Sequence, residues 1–190
     1  MKVFGKMILA SICFALGASG VFAQEMEKTA AKETARAAAM KKLDFLIGDW
    51  EGSGWIIIGR ERKNFTVRES LQTKLDGQII VVEGIGKTVD EKTGAEKIVH
   101  NAYGVFSYDD ESGKIRFRYF KENGQAGEVT PEFFDKKVVW GFDVPENKVT
   151  VRFTEKTNEK GNWQEIGEVS RDGGKTWFQF FEMELSRVKQ

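Results

Sequence analysis

From Trp50 onward apolar and polar residues alternate, and turn-forming residues return roughly every ten positions, the rhythm of short strands. KVTVRFTEKT sets Val149, Val151 and Phe153 against Thr150, Arg152 and Thr154. KIRFRYF sets Ile115, Phe117 and Tyr119 against Arg116 and Arg118. A side-chain period of two belongs to a strand with one buried face. The punctuation is Asp76-Gly77, Asp90 to Gly94, Asp109 to Gly113, Asn123-Gly124, Pro145 to Asn147, Asn158 to Gly161 and Asp172-Gly173-Gly174. Asn-Gly and Asp-Gly tolerate positive φ and so favour hairpins. No helical periodicity interrupts the run, so it reads as a meander of roughly ten strands. Such a sheet leaves two unpaired edges unless it curls on itself. The expected fold is therefore all-β: a single closed or nearly closed antiparallel up-and-down β-barrel. Just before it, LDFLIG spaces Leu43, Leu46 and Ile47 as a short plug helix would.

The N-terminal segment has a different texture. Lys2 and Lys6 precede an apolar run from Met7 to Leu16, and Val21 and Ala23 occupy −3 and −1 of a signal-peptidase site. Residues 1–23 are thus expected to be a signal peptide, cleaved before Gln24, with the protein exported to the periplasm or secreted. The apolar run is too short to span a bilayer, so no membrane span is expected in the mature chain. Ile12 before Cys13 does not fit a lipoprotein signal. Residues 24–42 are rich in Ala, Glu, Lys and Arg, a helical or tether-like segment without a large apolar face. Residues 43–188 form the expected barrel domain.

Cys13 is the only cysteine, and it falls within the expected signal peptide. The mature chain then has neither a disulfide nor a thiolate nucleophile. With 29 basic and 29 acidic residues the chain is balanced, and no long run of one sign occurs. Nucleic acid is not an expected partner, because that binding rests on counterion release by a basic surface.

Several motifs fail on spacing. GIGKT (Gly84 to Thr88) resembles a P-loop tail, but Val81 stands where the first glycine belongs and a turn follows. GGKT (Gly173 to Thr176) fails likewise at Val169. DDESG (Asp109 to Gly113) has its glycine one place early for an EF-hand and lacks flanking helices, which leaves a solvated turn. His100 is the only histidine, and no G-x-S-x-G elbow accompanies it. It is either a hydrogen-bonded strand residue or a polar anchor within a cavity. Glu182 and Glu184 share a strand face, opposite in parity to Phe181, Met183 and Leu185. Glu165 and Glu168, three apart, cannot both face inward on a regular strand. The candidate cavity-lining residues are His100, Tyr103, Phe106, Arg118, Trp140 and Phe142. No metal site is expected.

LDFLIGDWEGSGW followed by such a meander resembles the lipocalin-like, or calycin-type, β-barrels. Gly48-x-Trp50 matches the calycin signature, and Arg187 in ELSRV matches the late arginine that packs across the tryptophan. The resemblance assigns barrel closure to Gly48, Trp50, Gly52, Gly54 and Arg187. Trp163 to Arg187 further resembles a bacterial family of secreted lipocalin-like domains of unknown function. The Gly48-x-Trp50-x-Gly52-x-Gly54 opening also resembles nitrobindin-type haem barrels. That pattern breaks at the C-terminal strands, which lack the iron-binding histidine, so no haem or other cofactor is expected. The aromatics on the strands, among them Phe106, Phe117, Tyr119, Trp140 and Phe142, and the cavity that small barrels enclose make a binding module for a small hydrophobic or amphipathic molecule the leading expectation. Two other readings are a cofactor-free isomerase, cyclase or hydrolase using His100, Tyr103, Arg118 and late-strand glutamates, and a structural or interaction protein of the envelope.

Overall fold

A computed structural model describes residues 15–90 and 93–189. The basic start and most of the apolar run of the expected signal peptide lie outside the described residues, as do two residues of the Asp90 to Gly94 turn. The chain divides into two units, Met1–Ala35 and Arg36–Gln190. Helix α1 (Ala15–Met40) makes up the described part of the first and ends in the second. From Phe22 to Ala35 its side chains are exposed, as its alanine, lysine and glutamate content dictates. No described helix is long and apolar enough to cross a membrane.

The second unit is one antiparallel sheet of eleven strands: β1 (Gly48–Ile58), β2 (Glu61–Lys74), β3 (Ile79–Val89), β4 (Glu96–Asp109), β5 (Lys114–Lys121), β6 (Ala126–Val129), β7 (Glu132–Phe134), β8 (Lys137–Val144), β9 (Val149–Thr157), β10 (Trp163–Ser170) and β11 (Phe178–Arg187). Their order is β6-β5-β4-β3-β2-β1-β11-β10-β9-β8-β7, a meander whose first and last strands pair. The expected barrel is thus present with one more strand and a ladder that stays open between β6 and β7. These edge strands are only four and three residues long, and they are joined through Thr130 and Pro131. Proline has no N–H to give to a ladder. Aromatic rings draw the two sides of this seam together. Phe117 of β5 meets Trp140 of β8 edge-on at 5.3 Å, and Tyr119 lies 6.2 Å from Phe142.

Alternation sends one parity inward on every strand. Trp50, Phe65, Val67, Leu71, Ile80, Phe106, Val138, Trp163, Met183 and Leu185 form the buried core. The other parity carries cross-strand ion pairs such as Arg68 with Glu51 (2.8 Å) and Arg152 with Glu168 (2.7 Å). Below the core a 3₁₀ turn (Lys41–Leu43) and the residues after it bury Leu43 and Leu46 completely. The plug is this single turn and the chain leading out of it.

At the base, the Trp50 indole N–H donates to the Leu46 carbonyl at 2.8 Å. The Arg187 guanidinium lies 4.2 Å from the centre of the Trp50 ring and donates to the Phe45 and Ile47 carbonyls. Trp50 and Arg187 are direct partners in the β1–β11 ladder. Gly48 has φ of +131°, and a β-carbon there would lie 2.5 Å from Arg187 Nη1. Gly52 and Gly54 let β11 approach: β-carbons on them would meet the Glu184 and Glu182 carbonyl oxygens at 2.1 and 2.3 Å. GIGKT lies within β3, and GGKT lies in the β10–β11 hairpin.

Candidate ligand cavity

The inner faces do not fill the sheet completely. A cavity of about 540 Å³ remains above the core. Its walls follow from strand parity, broken on β11 by a bulge that turns the adjacent Phe180 and Phe181 to the same cavity. β5 contributes Phe117 and Tyr119, β8 Trp140 and Phe142, β9 Phe153, and β11 Phe180 and Phe181. Trp140 and Phe153 stack at 4.4 Å, and Phe106 and Phe117 at 4.2 Å. Glycines make room for these rings. A β-carbon on Gly104 would lie 2.5 Å from Phe117, and one on Gly127 would lie 2.4 Å from the Tyr119 hydroxyl. Burial raises the Tyr119 phenol above its ordinary pKa.

Four glutamates interrupt the apolar lining: Glu122, exposed, and three set deeper in the walls. Glu69 comes from β2, Glu155 from β9 and Glu165 from β10. Glu155 and Glu165 are direct partners in the β9–β10 ladder. Like charges so placed repel. Glu155 is buried and accepts a hydrogen bond from the Trp140 indole N–H at 2.5 Å. Burial and the neighbouring Glu69 charge push its carboxyl up to about 7, against the Trp140 bond. Burial raises Glu165 well above the ordinary carboxylate range, and Glu155 and Glu69 add to the shift. Burial also raises Glu69, opposed by His100, whose Nε2 lies 3.6 Å from Glu69 Oε1. Gly84 gives Glu69 its place, since a β-carbon there would lie 2.4 Å from both carboxylate oxygens. Among the described residues the buried Trp163 indole N–H finds no hydrogen-bond partner. Among the described residues no group of three or more His, Cys, Asp or Glu side chains is placed to hold a metal ion.

Of the residues singled out from sequence, Phe106, Trp140 and Phe142 line the cavity, and half-exposed His100 stands at its mouth. Two face elsewhere. Arg118 has the parity opposite to Phe117 and Tyr119, and on the outer face it pairs with Glu128. Tyr103 has the parity opposite to Gly104 and Phe106; its ring is exposed and tilts against Phe120 at 6.5 Å. Glu182 and Glu184 also face outward, accepting hydrogen bonds from Gln164 and Gln179, and from Asn158 and Asn162. Of the catalytic candidates, His100 stands at the mouth and the late-strand Glu165 faces the interior, whereas Arg118, Glu182 and Glu184 face outward. Glu165 faces inward while Glu168 pairs outside with Arg152, and a register shift at Gly167/Glu168 separates them.

Sequence reasoning missed Glu69 and Glu155, although the signal was there. Glu69 stands at the apolar parity of Phe65, Val67 and Leu71, and Glu155 at that of Val151 and Phe153. A charged residue continuing an apolar register marks a buried polar site.

No family model matches this chain. No curated protein matches it either. Solved structures do. Rv2717c from M. tuberculosis aligns with a TM-score of 0.56 over 80% of this chain and 98% of its own, at 10% identity. The S-type phycobiliprotein lyase CPES from Guillardia theta aligns with a TM-score of 0.52 over 79% of this chain and 92% of its own, at 12% identity. At such identities the likeness concerns the fold alone. Antiparallel order, inward parity and the likeness to these two structures together show the fold of the unit, a curled antiparallel β-barrel that stays open between β6 and β7.

Proposed function

We propose that this protein is a binding module that holds a small hydrophobic or amphipathic molecule inside the barrel, and that it acts after export. The observation that carries the reading is the cavity of about 540 Å³, walled by aromatic rings on rigid strands. A concave, largely apolar site with a few convergent polar groups is the usual form of a small-molecule site. One neighbour of the same fold is by name a phycobiliprotein lyase, which agrees with a ligand-handling barrel but adds only an analogy.

Titration of the purified protein with the fluorescent apolar probe N-phenyl-1-naphthylamine tests the reading. The expected result is saturable one-to-one binding with a blue-shifted emission, weakened about tenfold or more in Trp140→Ala, whose lost ring faces the probe. Absence of saturable binding to the folded protein removes the proposal. Export is tested separately by fusing residues 1–23 to alkaline phosphatase, which is active only outside the cytoplasm. A second reading, a cofactor-free enzyme, draws on the opposed Glu155–Glu165 pair in a largely apolar cavity. It requires that a co-purifying molecule be converted by the wild type and not by Glu165→Gln.

A further inference from the structure

The three carboxylates say what kind of head group the cavity takes. Glu69 and Glu155 are 7% and 6% exposed, buried to a degree that glutamate rarely reaches without a partner. Their partners are few. Glu155 has one neutral donor, the Trp140 indole. For Glu69 the partner is His100 at 3.6 Å, beyond hydrogen-bond length. Glu165 has no hydrogen bond or ion pair among the described residues, only the electrostatic influence of Glu155 and Glu69. The basic residues around the cavity are Lys121 and His100, both exposed. Among the described residues no lysine or arginine forms an ion pair with Glu69, Glu155 or Glu165.

An arrangement of this kind is unfavourable for the empty protein, because carboxylates desolvated side by side repel one another. Each could have been a leucine at no cost to the strand pattern. The Glu69 carboxylate sits over Gly84, in space that a β-carbon there would otherwise fill. The surrounding rings are of the kind that accept a cation: Trp140 and Phe153 stacked at 4.4 Å, with Phe181 edge-on to Phe153.

We infer that the ligand is an amphipathic amine, its ammonium group held by Glu69, Glu155 and Glu165 and its apolar body by the aromatic walls. This deepens the binding-module reading and rests on it. A fatty carboxylate of the same length meets repulsion at the floor. A neutral alcohol gains only a hydrogen bond there, weaker than a charge-assisted one. The ammonium group supplies three donors and the opposing charge.

The test is a matched series with one tail and three heads, n-decylamine, n-decanol and n-decanoate, titrated into the full chain by calorimetry beside N-phenyl-1-naphthylamine. Decylamine is expected to bind at least about tenfold tighter than decanol, with decanoate weakest. In Glu155→Gln/Glu165→Gln the ratio of amine to alcohol affinity falls toward one. Glu69→Gln, on a different strand, lowers the same ratio and serves if the double variant does not fold. Equal affinities in the wild type, a preference for decanoate, or an amine preference that survives in the folded variants each overturns the inference. If N-phenyl-1-naphthylamine binds while the amine shows no advantage, the head-group assignment alone fails. If neither the probe nor any member of the series binds, the cavity reading fails with it.

Discussion

Replacing Trp50 or Arg187 should unfold the barrel far more readily than it empties the cavity. Trp50 is 1% exposed and touches the plug, the first strand and the last. Its indole meets Trp163 edge-on at 5.9 Å and donates to the Leu46 carbonyl. Trp50→Ala leaves a cavity that rigid strands cannot collapse, which costs about 3–5 kcal/mol. For a unit of this size that corresponds to a fall in Tm on the order of 10 °C. Arg187→Ala removes two guanidinium–carbonyl bonds and the cover over the ring; being exposed, it should cost about 1–2 kcal/mol. Urea unfolding followed by far-UV circular dichroism measures both without depending on the indole removed. The double variant completes a mutant cycle. A coupling of about 0.5–1 kcal/mol is expected, because the stacking exists only when both residues are present. Apolar-probe affinity of the folded variants should stay within about threefold of wild type, since neither Trp50 nor Arg187 lines the cavity itself. Unchanged unfolding midpoints would refute the reasoning, and zero coupling would show that the guanidinium does not act through the ring.

Glu155→Gln should flatten the pH dependence of stability. A carboxyl raised from 4.5 to about 7 in the folded state stays protonated there while the unfolded chain ionises. Its stabilising contribution is complete below about 4.5 and is lost as pH rises through about 7. The glutamine variant, which can still accept the Trp140 bond, should therefore gain on wild type in melting temperature between pH 5 and 8, and parallel curves would contradict this. Asp172→Ala should loosen the β10–β11 hairpin. The Asp172 carboxylate accepts the Thr176 hydroxyl at 2.6 Å and the Thr176 and Lys175 N–H groups at 2.9 and 3.0 Å, bonds that hold its pKa down to about 2. That contribution is present above the ordinary carboxylate range and vanishes as pH falls through about 2, so faster amide exchange in residues 170–177 is expected at neutral pH. Gly84→Ala should displace Glu69, cost about 1 kcal/mol and weaken decylamine binding. Unaltered stability and affinity would place the Glu69 carboxylate elsewhere.

Most of the architecture was legible before any coordinates. KVTVRFTEKT and KIRFRYF announce strands because side chains alternate across a strand whatever surrounds it. The glycine-rich turns were legible too, because positive φ is a local demand. Gly48, Trp50 and Arg187 were found through their resemblance to a signature; their contact spans the whole unit and has no local trace. The cavity was only half legible. Phe106, Trp140 and Phe142 stand at apolar parity on their strands, whereas Arg118 was taken as lining against the parity of its own strand. Glu69 and Glu155 escaped notice because a single glutamate in a strand looks like an exposed one. Only its register against Phe65, Val67 and Leu71, or Val151 and Phe153, shows otherwise.

The sequence alone determined the antiparallel meander, its turns and its two faces, because these depend on residues within a few positions of one another. The tertiary structure decided the rest. It left the ladder open at Pro131, carried Arg187 over Trp50, and brought glutamates from β2, β9 and β10 to one floor. Those outcomes depend on how a twisted sheet curls and which strands then face each other across it. The energy of that choice comes from burial and pairing between residues as far apart as Trp50 and Arg187, distances along the chain over which no local pattern carries information.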